Sequence, residues 1–142
     1  MNISARNHFP GTISKVDAGP INAQVELTLA GGDRIVAIVT NESVGNLGLA
    51  VGRQATAFVK ASWVLVRAGS ESIRFSARND LPGVVERVEK GAVNSEVAIR
   101  LEGGALAYAV VTNEAVLEMG LKPGFPASAL FKASHVILGV RD

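Results

Sequence analysis

Ser4-Ala5-Arg6-Asn7 recurs 72 residues later as Ser76-Ala77-Arg78-Asn79, and after two further residues each copy runs into Pro-Gly, Pro10-Gly11 and Pro82-Gly83. The same offset continues through the chain. Gly31-Gly32 meets Gly103-Gly104, Val39-Thr40-Asn41-Glu42 meets Val111-Thr112-Asn113-Glu114, Gly48-Leu49 meets Gly120-Leu121, and Lys60-Ala61-Ser62 meets Lys132-Ala133-Ser134. Comparing 4–66 with 76–138, 28 of 63 positions are identical, which makes the chain a tandem duplication of one module. The boundaries read as 2–68 for the first domain and 74–140 for the second.

A module of this size buries only about 60% of its unfolded surface and is marginal alone. Yet of the 142 residues 48% are hydrophobic and 19% charged. That apolar excess predicts packing between modules and between subunits. The net charge of +1 gives no basic face of the kind that announces a nucleic-acid partner. With no cysteine, there is no disulfide framework, thiolate metal site or thiol nucleophile. No apolar run approaches the roughly 20 residues of a membrane helix, and the start lacks the basic and apolar regions of a signal peptide. The expectation is a cytoplasmic chain without a membrane partner.

Each module reads mostly as β. Residues 11–16 form a strand ended by Asp17-Ala18-Gly19-Pro20, a cluster of turn residues. Val25, Leu27 and Leu29 then alternate with Glu26 and Thr28, the period of a strand with one face buried. Gly31-Gly32-Asp33 is a hairpin signal. Residues 35–39 are continuously apolar, which suits a central strand buried on both faces. Thr40-Asn41-Glu42 has the composition of a helix start, and Gly48 ends the helix after about two turns. Residues 55–60 and 64–67 read as strands, and 68–72 as the linker. About five short strands with one short helix between the third and fourth match a partly open Greek-key barrel of the OB type. The fold class is therefore all-β: two tandem OB-like Greek-key barrels.

Enzyme sites look poor. His8 and His135 do not recur at the matching positions, where Asp80 and Trp63 stand, and no Ser-His-Asp set or paired carboxylates appear. Gly31-Gly32 lies between strands, so it is a turn rather than a phosphate loop. The scattered acids offer no metal-cation site. What recurs suits a small oxyanion. Arg6 and Arg78 each present a planar fork of donors, Lys60 and Lys132 compact charges, and Ser4, Ser62, Thr40 and their counterparts hydroxyls. Ala5 and Ala61 are small enough for an anion to approach the backbone. Each residue also has a plain structural reading. Arg6 can pair with a surface carboxylate, Lys60 can guard a strand edge, Thr40 can cap a helix, Asn22 and Asn94 can be turn residues, and Trp63 can simply pack.

Taken together, Ser-Ala-Arg-Asn, Gly-x-x-Asn-x-Glu/Gln-Val, Val-Thr-Asn-Glu and Lys-Ala-Ser-x-Val resemble the molbindin (Mop) domain over essentially all of both modules. Two copies in tandem resemble the di-molbindins. The resemblance implies cytoplasmic storage proteins that hold molybdate, and tungstate too, without covalent bonds or catalysis. It also implies a homotrimer, with no catalytic cofactor. Sites between subunits would use Ser4, Ala5, Arg6, Thr40, Lys60, Ala61 and Ser62, and Ser76, Ala77, Arg78, Thr112, Lys132, Ala133 and Ser134. Sites near a threefold axis would use Gly19, Asn22, Gly91 and Asn94. Since the sequence holds no helix-turn-helix or ATPase region, it reads as a binding protein rather than a regulator or transporter subunit. The rival reading is an OB-type binder of single-stranded nucleic acid. That function calls for aromatics stacked along a basic groove, whereas aromatics are 5% here and Trp63 and Tyr108 do not match in position.

Overall fold

The computed structural model describes residues 3–69 and 73–142; the domain start expected at residue 2 and the linker centre at 70–72 lie outside them. The first repeat contains β1 (Asn7–Ala18), β2 (Asn22–Leu29), β3 (Arg34–Thr40), α1 (Asn41–Leu47), β4 (Gln54–Val59), a 3₁₀ turn (Ala61–Trp63) and β5 (Leu65–Ala68). The second contains β6 (Asn79–Lys90), β7 (Asn94–Leu101), β8 (Leu106–Thr112), α2 (Asn113–Met119), β9 (Pro126–Phe131), a 3₁₀ turn (Ala133–His135) and β10 (Ile137–Gly139). They form two five-stranded sheets with all pairs antiparallel, matching two OB-like half-barrels.

The fifth strands are exchanged. The first sheet runs β10-β4-β1-β2-β3 and the second β5-β9-β6-β7-β8, so each repeat donates its last strand to the other. Leu65 pairs with Leu130, and Ile137 with Phe58. The count of five strands per barrel agrees with the sequence reading, but a barrel is not one contiguous module. The cause is local. After β4 the backbone stays extended at Lys60 (φ −67°, ψ 134°) and then enters the 3₁₀ turn. That turn packs on β8 of the other repeat, and the turn at 133–135 packs on β3. A single apolar core accordingly runs through both repeats, from Phe9 and Val25 to Val97, Phe131 and Leu138.

The alternation in β2 puts Val25, Leu27 and Leu29 inside, as Val97, Ile99 and Leu101 are in β7. β1 starts at Asn7 rather than at 11. Over residues 7–10 it is bonded only to β4, with the ladder to β2 beginning at Gly11, so Pro10 sits where one side is open. A Cβ on Gly11 would lie 2.6 Å from the Thr28 carbonyl oxygen, which reserves that position for glycine. A bulge between Ile13 and Lys15, repeated between Val85 and Arg87, bends each long strand. β3 is an edge strand, not the central one its apolar run predicts. Ile35, Ala37 and the half-buried Val39 face the core, while Val36 and Ile38 are half-buried on the opposite side. Both helices follow the expected caps: Thr40 Oγ1 accepts from Ser43 N at 3.1 Å, and Gly48 closes α1 in the left-handed region at φ 62°.

Candidate functional site

The β1–β4 ladder unites two segments that are far apart in sequence. Asn7 lies opposite Val59, so Ser4-Ala5-Arg6 runs beside Lys60-Ala61-Ser62. Asn79 lies opposite Phe131, and Ser76-Ala77-Arg78 runs beside Lys132-Ala133-Ser134 in the same way. Ser4, Lys60 and Ser62 are exposed, as are Ser76, Lys132 and Ser134, while Ala61 and Ala133 are buried at the floor. The His8 ring donates to the Ala5 carbonyl and steadies the first segment. Each cluster thus combines an arginine, a lysine and two hydroxyls around small residues, a donor set suited to an oxyanion. Among the described residues, no group of three or more His, Asp or Glu could hold a metal cation.

Each cluster faces the other repeat. Asn7 and Asn79, both 1% exposed, act as false strand residues. Asn7 Nδ2 donates to the Tyr108 carbonyl at 2.8 Å, and Tyr108 N donates back to Oδ1 at 2.7 Å. Asn79 does the same to Val36, the matching residue of β3, at 2.8 Å in both directions. The asparagines therefore satisfy the free edges of β8 and β3 and clamp the repeats together. Arg6 Nε and Nη2 donate to the two Glu96 oxygens at 3.1 and 3.2 Å, and its guanidinium lies 3.8 Å from the Tyr108 ring centroid. The hydrogen bond to Glu96 raises the Arg6 pKa above its ordinary value against the opposing effect of burial. Arg78 Nη1 donates instead to the Gln24 amide oxygen at 2.8 Å. Trp63 and His135, the residues ending the two 3₁₀ turns, stack with centroids 4.7 Å apart.

Thr40 does not join the Arg6 cluster of its own repeat. Its hydroxyl caps α1, and it pairs with Asn22 beside the β1–β2 turn, at the far end of β1 from Arg6. That turn is a unit: Gly19 N donates to the Asn22 carbonyl at 2.8 Å, and Asn41 Nδ2 to the Gly19 carbonyl at 2.8 Å. The second copy matches, with Gly91, Asn94, Thr112 and Asn113. Along β2, Asn22 is two residues from Gln24, the partner of Arg78, a same-face step of roughly 7 Å. Thr40, Gly19 and Asn22 thus lie toward the Arg78–Lys132 cluster, and Thr112, Gly91 and Asn94 toward the Arg6–Lys60 cluster. Sequence order alone groups them the other way, because it does not reveal that the repeats cross. It also left Asn7, Asn79, Gln24, Glu96 and Tyr108 without roles. The one available signal was that Asn7 and Asn79 close the repeated Ser-Ala-Arg-Asn stretch.

The molecule is thus two OB-like barrels with exchanged strands and a donor-rich cluster at each junction between them. The chain belongs to the TOBE domain family, whose model matches residues 3–66 and again 76–138. Over 99% of this chain and 100% of the other, it superposes with a TM-score of 0.94 and 53% identity on a crystal structure of the cytoplasmic molybdate-binding protein ModG with molybdate bound. It is 43% identical over 142 residues to the molybdenum transport protein ModE of Herbaspirillum seropedicae. It is 42% identical over 140 residues to the molybdenum-pterin-binding protein MopA of Rhodobacter capsulatus. It spans all or nearly all of itself in these matches but 53% of either relative, so the chain is about half their length.

Proposed function

We propose that this protein binds molybdate reversibly and stores it in the cytoplasm, catalysing no reaction. The observation that carries this reading is the convergence of Ser-Ala-Arg and Lys-Ala-Ser at both repeat junctions, in a chain 53% identical to a protein solved with molybdate. Backbone N–H groups, lysine and arginine donate and serine hydroxyls can do so too, a donor-rich set that matches a fully deprotonated tetrahedral dianion. Tungstate has the same shape and charge and binds equally well. No helix among the described residues is long and apolar enough to cross a membrane. We also infer a homotrimer. Exposed apolar side chains recur at matching positions of both repeats, Ile21 with Val93 at 75% and 72% exposure and Leu65 with Ile137 at 61% and 57%, where a subunit surface would cover them.

Equilibrium competition tests the reading. Molybdate and tungstate displace one another, whereas sulfate is weaker because fixed donors tolerate little change in anion size. Phosphate is weaker still, since it carries a proton near neutral pH that a donor-rich site pairs poorly. Equal displacement of molybdate by all three competitors would refute it.

A further inference from the structure

The two clusters are copies of one motif, but the residues that meet their arginines are not copies. Glu96 occupies the position of Gln24, and Tyr108 that of Val36. Arg6 therefore carries an anion already: both Glu96 oxygens sit on its fork, at 3.1 and 3.2 Å, and the tyrosine ring covers a face of the guanidinium. Among the described residues, Arg78 meets a neutral amide instead, at 2.8 Å. The surrounding charges do not cancel this difference. Arg87, 3.5 Å from Glu96, has Glu89 at 4.0 Å; its counterpart Lys15 has Asp17 at 3.3 Å. Each cluster thus has one further cation with its own acid beside it, and Lys60 or Lys132 besides. On the Arg78 side Asp80 and Glu26 have no acidic counterpart, but each has its own arginine, Arg67 at 2.7 Å and Arg34 at 3.3 Å. The carboxylate that meets a cluster arginine is Glu96.

We propose that Glu96 makes the two oxyanion sites unequal. It acts as an internal competitor at the Arg6–Lys60 cluster, so the Arg78–Lys132 cluster fills first. The inference rests on the molybdate reading above and assigns an order of occupancy within it. A fixed unit charge near a dianion at a surface site weakens binding roughly threefold to tenfold at low ionic strength, and the difference fades as salt screens it.

The test is calorimetric titration of the full chain with sodium molybdate, at low and at half-molar sodium chloride, for wild type, Glu96→Gln, Gln24→Glu and Lys132→Ala. Wild type shows two affinity classes at low salt, and Lys132→Ala removes the tighter one. Glu96→Gln raises the weaker class to the tighter, and Gln24→Glu lowers the tighter to the weaker. Both effects shrink at high salt, which a purely structural role for residue 96 would not produce. Glutamine already serves this position opposite Arg78, so Glu96→Gln retains a hydrogen-bond partner for Arg6, and melting curves verify folding. The inference is overturned if wild type shows one class, or if folded Glu96→Gln and Gln24→Glu both leave the affinities unchanged. Wild type that takes up no molybdate at all removes the functional reading itself, and this inference with it.

Discussion

Replacing Asn7 by alanine tests whether the crossing of the repeats is held by polar clamps or by the apolar core alone. The side chain is 1% exposed and makes two short bonds to Tyr108, at 2.8 and 2.7 Å. Alanine leaves the Tyr108 N–H and C=O without partners on the edge of β8. Each orphaned group costs about 1–3 kcal/mol. The edge is only partly buried and water recovers some of that loss, so the total is about 2–4 kcal/mol. At about 3–4 °C per kcal/mol for a chain of this size, melting falls by roughly 6–16 °C. Asn79→Ala removes the equivalent pair of bonds to Val36 and loses a similar amount. Ser4→Ala, exposed and in the same segment, leaves the melting temperature unchanged. Differential scanning calorimetry without ligand measures all three. If Asn7→Ala melts within 2 °C of wild type, the asparagine is not a clamp and water serves the β8 edge just as well.

Lys60→Ala and Lys132→Ala each remove a charge-assisted bond to the anion, lowering molybdate affinity at one subset of sites roughly ten- to a hundredfold, and the double variant loses both subsets. Their ligand-free stability barely changes, and titration calorimetry of a double variant with wild-type affinity would show that these lysines are edge guards. The trimer predicts a mass of three chains by light scattering at micromolar concentration. Ile21→Lys together with Val93→Lys puts charge into the proposed contact and shifts the protein toward monomer; a stable wild-type monomer would refute the assembly.

Much of the fold is legible because it depends on local chemistry. The alternation of Val25, Leu27 and Leu29 places β2, and Thr40 with Gly48 brackets a seven-residue helix. The duplication sets the number of barrels. What sequence does not carry is which copy each strand joins. β5 and β10 follow identical Lys-Ala-Ser motifs, so both the self-contained and the exchanged pairings satisfy the same hydrophobic pattern. The choice rests on contacts between segments far apart in the chain: the 3₁₀ turns against β8 and β3, the Asn7 and Asn79 clamps, and the close approach of the Gly31 and Gly103 backbones at the two hairpins. The candidate site inherits the same ambiguity. Residue types reveal an oxyanion-binding set, but not that Thr40 lies toward Arg78 rather than Arg6. Exchange also gives duplication a use beyond doubling the sites. Packed on β8, the 3₁₀ turn that follows Lys60 is held by the other repeat, as the turn that follows Lys132 is held by β3. On the proposed reading, the backbone beside each lysine is fixed before an anion arrives, which lowers the entropic cost of binding. Strand exchange and the proposed anion sites thus share the same contacts.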